Sequence, residues 1–527
     1  MFSGDSTAVD LAQELAHARA YELIELVQAR PETDEVDAAL AEAERRGWLD
    51  VSMLLHYARY LKAGVQGEDS RPELERMFGL AEASGDTVLQ ALALGSRAER
   101  RPGPSRSVDA DASDADLARA VAMLEEGRGS LVDRPNAYVA CATAYSDRGL
   151  WELEEQMYVR ASVDLGSELP PPLDGTQASL RRVVEVNRQE TLLTWSCALF
   201  ELGQRDAAAD QALRGLAVGA EKVPGLPPEW QALMAAVNYV LAAIAGLPNL
   251  ESPEQMQARA DRAPWNEYRG CPKLAEAIRA HDAGDLDASA ALAAAAVPHF
   301  VDGILPSARM LAVRLAAERP GLDPWTLAYA REQVELRWEA RLRMLGTARA
   351  QIEVARMSLE HERLTRRAYV DQLTGLANRH AYDRHLERLR RLDDDRLIAV
   401  LMVDVDRFKS VNDTHGHVVG DQVLRAIGEV LSDASRSVDL VARVGGDEFL
   451  VVLDGIAETG AEIRGRHLAR RVTDNDWESL ARGLAVTVSI GVAGGPATEI
   501  DRILERADHT LYEIKRTGRG SVAVHPG

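Results

Sequence analysis

Residues 442–453 read ARVGGDEFLVVL. Two apolar arms flank Gly445, Gly446, Asp447 and Glu448. This predicts a β-hairpin, because a glycine pair supplies the positive φ angles of a two-residue hairpin turn. Two adjacent carboxylates at the tip also predict a place where backbone approaches a ligand closely. Upstream, RLIAVLMVDVD (residues 396–406) is a buried strand that ends in Asp404 and Asp406. Strand periodicity puts these two acids on one side, unless the strand ends between them. Acids gathered at neighbouring strand ends repel one another unless cations intervene, and hard oxygen donors suit Mg2+ or Mn2+. One acid alone would read as a solvated loop tip; two pairs on neighbouring strands do not.

The segment after that strand, DVDRFKSVNDTHGHVVGDQ (residues 404–422), adds polar groups at regular spacing. Lys409 and Asn412 lie three apart and share a face of a short helical turn. Gly416 and Gly420 allow tight turns, and Asp421 opens a helix. Asn412 and Asp421 together present donors and acceptors suited to a purine edge, and Lys409 a charge for phosphate. Near the end of the chain, LYEIKRTGRG (residues 511–520) supplies Lys515 and Arg519, again suited to phosphate. The remaining pattern alternates: a helix at 420–434, another near 457–472, a strand at 484–493 and a helix at 500–516. That is an α/β domain with at least one antiparallel hairpin.

Five pieces in order, DQLTGLANRHAYDRHL, DVDRFKSVNDTHGHVVGD, RSVDLVARVGGDEF, TVSIGVA and ADHTLYEIKRTGRG, resemble the GGDEF family of diguanylate cyclases. The resemblance covers the whole segment from Asp371 to about Val524. It implies a fold similar to nucleotide cyclases and polymerase palm domains, and condensation of two GTP molecules into cyclic di-GMP. It further implies that Asp404 and Asp447 ligate Mg2+ (or Mn2+), with the backbone carbonyl of Val405. Glu448 would assist the attacking 3′-hydroxyl, and Gly445 and Gly446 would leave room for the nucleotide. Asn412 and Asp421 would read guanine, and Lys409, Lys515 and Arg519 would hold the triphosphate. Arg436 and Asp439 form an RxxD pair with five residues between Asp439 and Gly445, matching the family's inhibitory product site for cyclic di-GMP. A further arginine would complete it, with Arg464, Arg466 and Arg470 all open. The chain departs from the family pattern at GRG, where GRN is usual, and at Val444, where an aromatic residue or Leu is usual. The alternative is a receptor or scaffold that binds GTP or cyclic di-GMP without turnover; such members usually lose an acid or glycine of the motif, and this chain keeps all four.

The preceding 322 residues predict an all-α region. Alanine and leucine recur at helical spacing, and Gly47, Gly85, Gly149, Gly203 and Gly284 each separate one helical pattern from the next. This resembles tetratricopeptide-type helical repeats, although the glycine spacing is irregular, and an irregular helical bundle is the alternative. Three Pro/Gly-rich stretches, at 100–107, 168–175 and 223–230, predict loops. Over 323–370 the chain becomes densely charged, and Trp338, Leu345, Ile352 and Leu359 fall seven apart, with Ala348 and Ala355 at the complementary position. That stripe fits a coiled-coil linker helix joining two copies, or one long helix packed on its own domain. The dimer is preferred, because one site holds one GTP and the reaction joins two. The expected organisation is therefore 1–322 TPR-like helical sensory or interaction region, 323–370 coiled-coil linker, and 371–527 catalytic α/β domain.

With 527 residues and 46% hydrophobic side chains, several sizeable cores can form. The formal charge of −22 argues against nucleic acid as a partner. Cys141, Cys197 and Cys271 have no metal-ligand spacing and read as buried thiols of a reducing compartment. The N-terminus lacks the pattern of a signal peptide, and no apolar run reaches the roughly 18 residues of a spanning helix. A cytoplasmic homodimer without membrane contact is expected, its helical repeats open to a protein or peptide partner.

Overall fold

A computed structural model describes the chain except for residues 1–4, 30–32, 100–109, 127–131, 167–172, 220–224, 250, 264–265, 301–304, 320, 322, 392–395, 437 and 525–527. The loop expected at 100–107 lies outside the described residues, as do most of the one at 168–175 and the opening of the one at 223–230. The chain divides into two compact units, Met1–Leu359 and Glu360–Gly527.

The first unit is helical throughout its described residues. Fifteen α-helices precede the long helix Pro324–Tyr369. All five glycines singled out from the sequence adopt left-handed φ angles between 64° and 83°. Each ends one helix and starts the next, a conformation a Cβ would penalise. Buried side chains form two consecutive cores. One holds residues from Ala20 to Val184, and the other runs from Val186 to Leu315.

The long helix is present over 46 residues, and its heptad stripe is already occupied. Leu345 and Ile352 are buried in the first core, and Ala348, Ala355 and Leu359 pack against it. Trp338 packs against the second core. Arg341 fixes the attachment: its guanidinium makes paired bonds of 2.7 and 2.8 Å to Glu152 and a third to the Gly149 carbonyl. It also lies 4.6 Å from the Trp151 ring centroid and 4.2 Å from that of Trp338. Planar guanidinium suits both stacking and a forked bond to carboxylate, so this arginine substitutes for an apolar seam residue. Within this chain, then, the stripe predicted for a partner copy covers the chain's own helices.

The second unit is a six-stranded sheet with helices on both faces. Its strands are β1 (Ala377–Asn378), β2 (Leu397–Val405), β3 (Leu440–Arg443), β4 (Glu448–Asp454), β5 (Val488–Pro496) and β6 (Val522–Val524). They lie in the order β1-β3-β4-β2-β5-β6. β2 is antiparallel to both β4 and β5, whereas β1 and β6 pair in parallel with β3 and β5. The helices are α1 (Arg379–Arg390), α2 (Phe408–His415), α3 (His417–Asp433), α4 (Glu458–Thr473) and α5 (Ile500–Thr517). Alternation along β2 and β4 is strict. Ala399, Leu401, Val403, Phe449 and Val451 face a core shared with α3 and α4. Ile398, Val400, Leu450 and Val452 face one shared with α1 and α5. Both faces are covered, so the strands read as continuous apolar runs rather than alternating ones. The strand expected at 484–493 begins only at Val488.

Candidate active site

The site forms where the central strand meets the hairpin tip. Register places Asp404, near the end of β2, opposite Glu448, the first residue of β4. The Val405 amide donates to the Asp447 carbonyl at 3.1 Å, which ties the tip to the strand end. From the end of α5, the Lys515 ammonium reaches Asp404 Oδ2 at 2.6 Å. Asp404 is buried, and burial pushes its carboxyl above the ordinary aspartate range. Lys515 opposes that shift, while the negative charges of Asp447 and Glu448 reinforce it. Three acids and one lysine thus share a single electrostatic neighbourhood. Glu448 and Gly446 are exposed at its mouth.

The hairpin link differs from the expected two-residue turn. It spans Val444–Asp447, and neither glycine has a positive φ. Arg443 closes the link instead. Its Nη2 donates to the Gly446 carbonyl at 2.7 Å, and its Nη1 pairs with Asp371 at 3.1 Å. A Cβ at Gly445 would come within 2.6 Å of the Glu448 carboxylate, so that exposed side chain would have to move aside. Gly446 has open space around it, which leaves room for a ligand. Asp371 also accepts from the Thr374 amide and hydroxyl at 3.0 and 2.8 Å. Burial raises its pKa, but these bonds and Arg443 outweigh that and hold it below the usual value. Neither the DQLTG nor the ARVGG segment carries a local sign of this clamp, whose partners lie 72 residues apart.

Asp406 does not join the acids. The strand ends at Val405, and the Asp406 carboxylate accepts from Ser489 Oγ and Thr487 Oγ1, both at 2.7 Å, and from the Gly520 amide at 2.9 Å. It binds β2 to β5 and to the loop carrying Arg519. Arg519 sits just past α5 with a left-handed φ of 63°. It lines a polar cavity of about 370 Å3 together with Asp406, Arg407, Ser410, Thr414 and Thr487.

Lys409 and Asn412 lie on α2, and Asp421 on α3; Lys409 and Asp421 are exposed. Gly416 has the expected turn conformation, with φ of 85°. Gly420 does not turn the chain: it is helical, and a Cβ on it would meet Asn412 Oδ1 at 1.9 Å. Glycine there lets the asparagine amide lie against α3.

Arg436 and Asp439 are joined directly, the Asp439 amide donating to the Arg436 carbonyl at 3.0 Å. The Asp439 carboxylate is almost wholly buried and accepts from the Arg436 amide, the Asp454 amide and Arg464 Nη1 at 2.9, 3.2 and 3.1 Å. Of the three arginines left open, Arg464 contacts Asp439, whereas Arg466 pairs with Glu462.

Among the described residues, no three His, Cys, Asp or Glu side chains converge as a ready-made ion cage. The donor set nonetheless fits a hard divalent ion. Asp404 and Val405 end the strand beside Asp447, and burial, reinforced by the charges of Asp447 and Glu448, raises Asp404, a penalty that a bound cation would relieve. Mg2+ commonly binds through one or two carboxylates and completes its shell with water and substrate phosphate.

Comparison with known proteins finds relatives of the segment that carries this site. Residues 368–521 match the model of the diguanylate cyclase GGDEF domain. This segment is a GGDEF domain. The chain is 31% identical over 172 residues to diguanylate cyclase DgcS of Shewanella oneidensis, covering 32% of this chain and 57% of that protein. It is 34% identical over 157 residues to diguanylate cyclase DgcZ of Escherichia coli, covering 30% and 53%. The chain therefore spans about half the length of these curated relatives. Among solved structures, the coiled coil and GGDEF domain of DgcB from Caulobacter crescentus, in complex with c-di-GMP, matches at 32% identity. That match covers 36% of this chain and 98% of the other, with a TM-score of 0.32.

Proposed function

We propose that this protein is a diguanylate cyclase, condensing two GTP molecules into cyclic di-GMP with release of two pyrophosphates. The observation that carries the reading is Asp404 set opposite the Asp447–Glu448 tip with Lys515 on its carboxylate. In each half-reaction a 3′-hydroxyl attacks the α-phosphorus of the other GTP. The new P–O bond forms as the bond to pyrophosphate breaks, and the hydroxyl proton leaves. Glu448, exposed beside the strand end, takes the role of assisting that deprotonation. Asn412 and Asp421 orient guanine. Lys409, Lys515 and Arg519 offset phosphate charge and stabilise the leaving pyrophosphate, as transfer at phosphorus requires. Asp404, Asp447 and the Val405 carbonyl would hold Mg2+ or Mn2+, whose chemistry is to neutralise phosphate and activate the hydroxyl.

One site accommodates one GTP, so synthesis needs a homodimer with two sites facing. Cyclic di-GMP then acts as inhibitor through Arg436, Asp439 and Arg464, and the helical unit gates the enzyme in response to a protein, peptide or small-molecule signal. The test is chromatography of GTP incubated with Mg2+ and the purified chain, beside Asp447→Ala. Cyclic di-GMP from the native chain alone is expected. No product from the native chain at concentrations that allow dimers would leave a GTP or cyclic di-GMP receptor as the better account, and product from the variant would overturn the metal assignment.

A further inference from the structure

The first unit holds a cavity of about 270 Å3 whose wall comes from alternate helices of the chain. These are Asp5–Ala29, Leu49–Gln66, Asp133–Ser146 and Leu173–Glu201, with Glu99 just past the helix Thr87–Ala98. Stacked helical hairpins set one helix of each pair inward, so polar side chains far apart in sequence meet on this inner face. Two bonds close the layer on itself. Tyr21 Oη donates to Asp133 Oδ1 at 2.5 Å, across 112 residues, and Arg182 Nη2 donates to Glu25 Oε1 at 3.1 Å, across 157. Ser179 Oγ donates to the same carboxylate.

The wall favours one kind of guest. Among the described residues that line it, two are carboxylates, Glu25 and Glu99, and none is Lys, Arg or His. Arg182 offsets Glu25 from outside the wall, and the Tyr60 hydroxyl lies 3.1 Å from Glu99. Tyr21 and Tyr57 add aromatic surface. Asn136, on the same wall, is only 4% exposed, and its Nδ2 donor has no hydrogen-bond partner. Native structures keep few buried donors unpaired, and such a group marks a place for a missing acceptor. An anion would supply the acceptor but meet two carboxylates. A bare cation would suit the carboxylates and the tyrosine faces but leave the amide unpaired. An ammonium joined to a neutral carbonyl satisfies both. Water would pair with Asn136 and make no use of the carboxylates or the aromatic surface. At about 30 Å3 per water the cavity has room for roughly nine waters, the bulk of a dipeptide.

We infer that this cavity binds an ammonium group next to a neutral amide carbonyl, as in an amino-acid amide or the amino end of a short peptide. The carbonyl accepts from Asn136, and the ammonium lies among Glu25, Glu99 and the tyrosines. This gives a chemical class to the signal of the helical unit, and it rests on the cyclase reading only for an effect on synthesis.

Differential scanning calorimetry of the full chain tests it, with millimolar pools of amino-acid amides, of the same amides N-acetylated, and of free amino acids. A guest that binds only the folded state raises the transition of the helical unit. The amide pool is expected to raise it, the acetylated pool to leave it unmoved, and the free amino acids, with their extra carboxylate, to raise it less. Pentapeptide amides that raise it further would make the natural guest a chain end. Asn136→Leu, which removes the unpaired donor, should melt no lower than the native chain and lose the response to amides, and Glu25→Gln should weaken it. No response to the amide pool, an equal response to the acetylated pool, or a full response in Asn136→Leu would overturn the inference. A response in a chain that makes no cyclic di-GMP would keep the site and count against the cyclase reading instead.

Discussion

Asp406 offers the sharpest separation of structure from chemistry at this site. It lies two residues from Asp404 and by sequence alone belongs with the acids. Its carboxylate is buried and accepts the hydroxyls of Thr487 and Ser489 and the amide of Gly520. Asp406→Ala leaves the buried Ser489 hydroxyl, the half-buried Thr487 hydroxyl and the amide of the exposed Gly520 without their acceptor. A buried donor left unpaired costs about 1–3 kcal/mol, whereas the Gly520 amide can turn to water, so about 2 kcal/mol in total is expected. For a domain of this size that corresponds to a fall in melting temperature of about 4–8 °C. Differential scanning calorimetry of the full chain should show the transition of the GGDEF domain moving by that amount, with the helical unit's transition unmoved. Asp447→Ala, at the partly exposed hairpin tip, should leave both transitions in place while abolishing synthesis. An Asp406→Ala protein that melts with the native chain would refute the assignment, since its three bonds would then be worth nothing.

Arg443→Ala and Asp371→Ala should each lower the rate of cyclic di-GMP formation by roughly 10- to 100-fold, because misplacing the hairpin tip by about an ångström suffices for such losses. Full turnover by either variant in a coupled pyrophosphate assay would show that the clamp does not position the tip. Glu154 and Glu190 of the helical unit are pushed by burial from 4.5 up to about 8 and about 7. Both are protonated in the folded unit at pH values where the unfolded chain has already released them. Stability should therefore fall as pH rises from about 4.5 toward 8, by up to about 1.4 kcal/mol per pH unit for each group. Glu154→Gln should flatten that slope in denaturant titrations; an identical slope would place the titration elsewhere. Arg436→Ala should raise the cyclic di-GMP concentration that halves the initial rate, and Arg464→Ala should do so while also lowering thermal stability, because it removes a charge from the buried Asp439 carboxylate. Equal product sensitivity of both variants and the native chain would exclude this site from feedback.

Much of the GGDEF domain was legible because local pattern and tertiary role coincide there. The apolar run of β2, the hairpin arms and the amphipathic helices follow from side-chain periodicity. What escaped depends on distant partners. Thr487 and Ser489 are 81 and 83 residues from Asp406, and no local signal marks them as its donors. The glycine pair at 445–446 pointed to a positive-φ turn, but Arg443 supplies the closure, and a Cβ at Gly445 would displace the Glu448 carboxylate. Gly420 read as a turn residue, whereas its small size serves Asn412. In the helical unit the five capping glycines carried their own conformational signal, while the heptad stripe could not say whose helices would cover it. Leu345 and Ile352 have the spacing of a seam wherever their neighbours come from.

The grip on Arg341 works as a key in a slot for the long helix. A guanidinium held by a forked bond to one carboxylate and by two indole faces fixes the helix's azimuth on the first unit as well as its position. From Trp338 to Leu359 the helix runs for about 30 Å at 1.5 Å per residue, and each residue advances the turn by 100°. Inserting a single residue after Arg341 would swing Leu345 and Ile352 away from the first core by about 100°, while inserting seven would return a stripe to within about 20° of it. A first unit that melts unchanged with one added residue would show that the clamp does not set the phase of the helix.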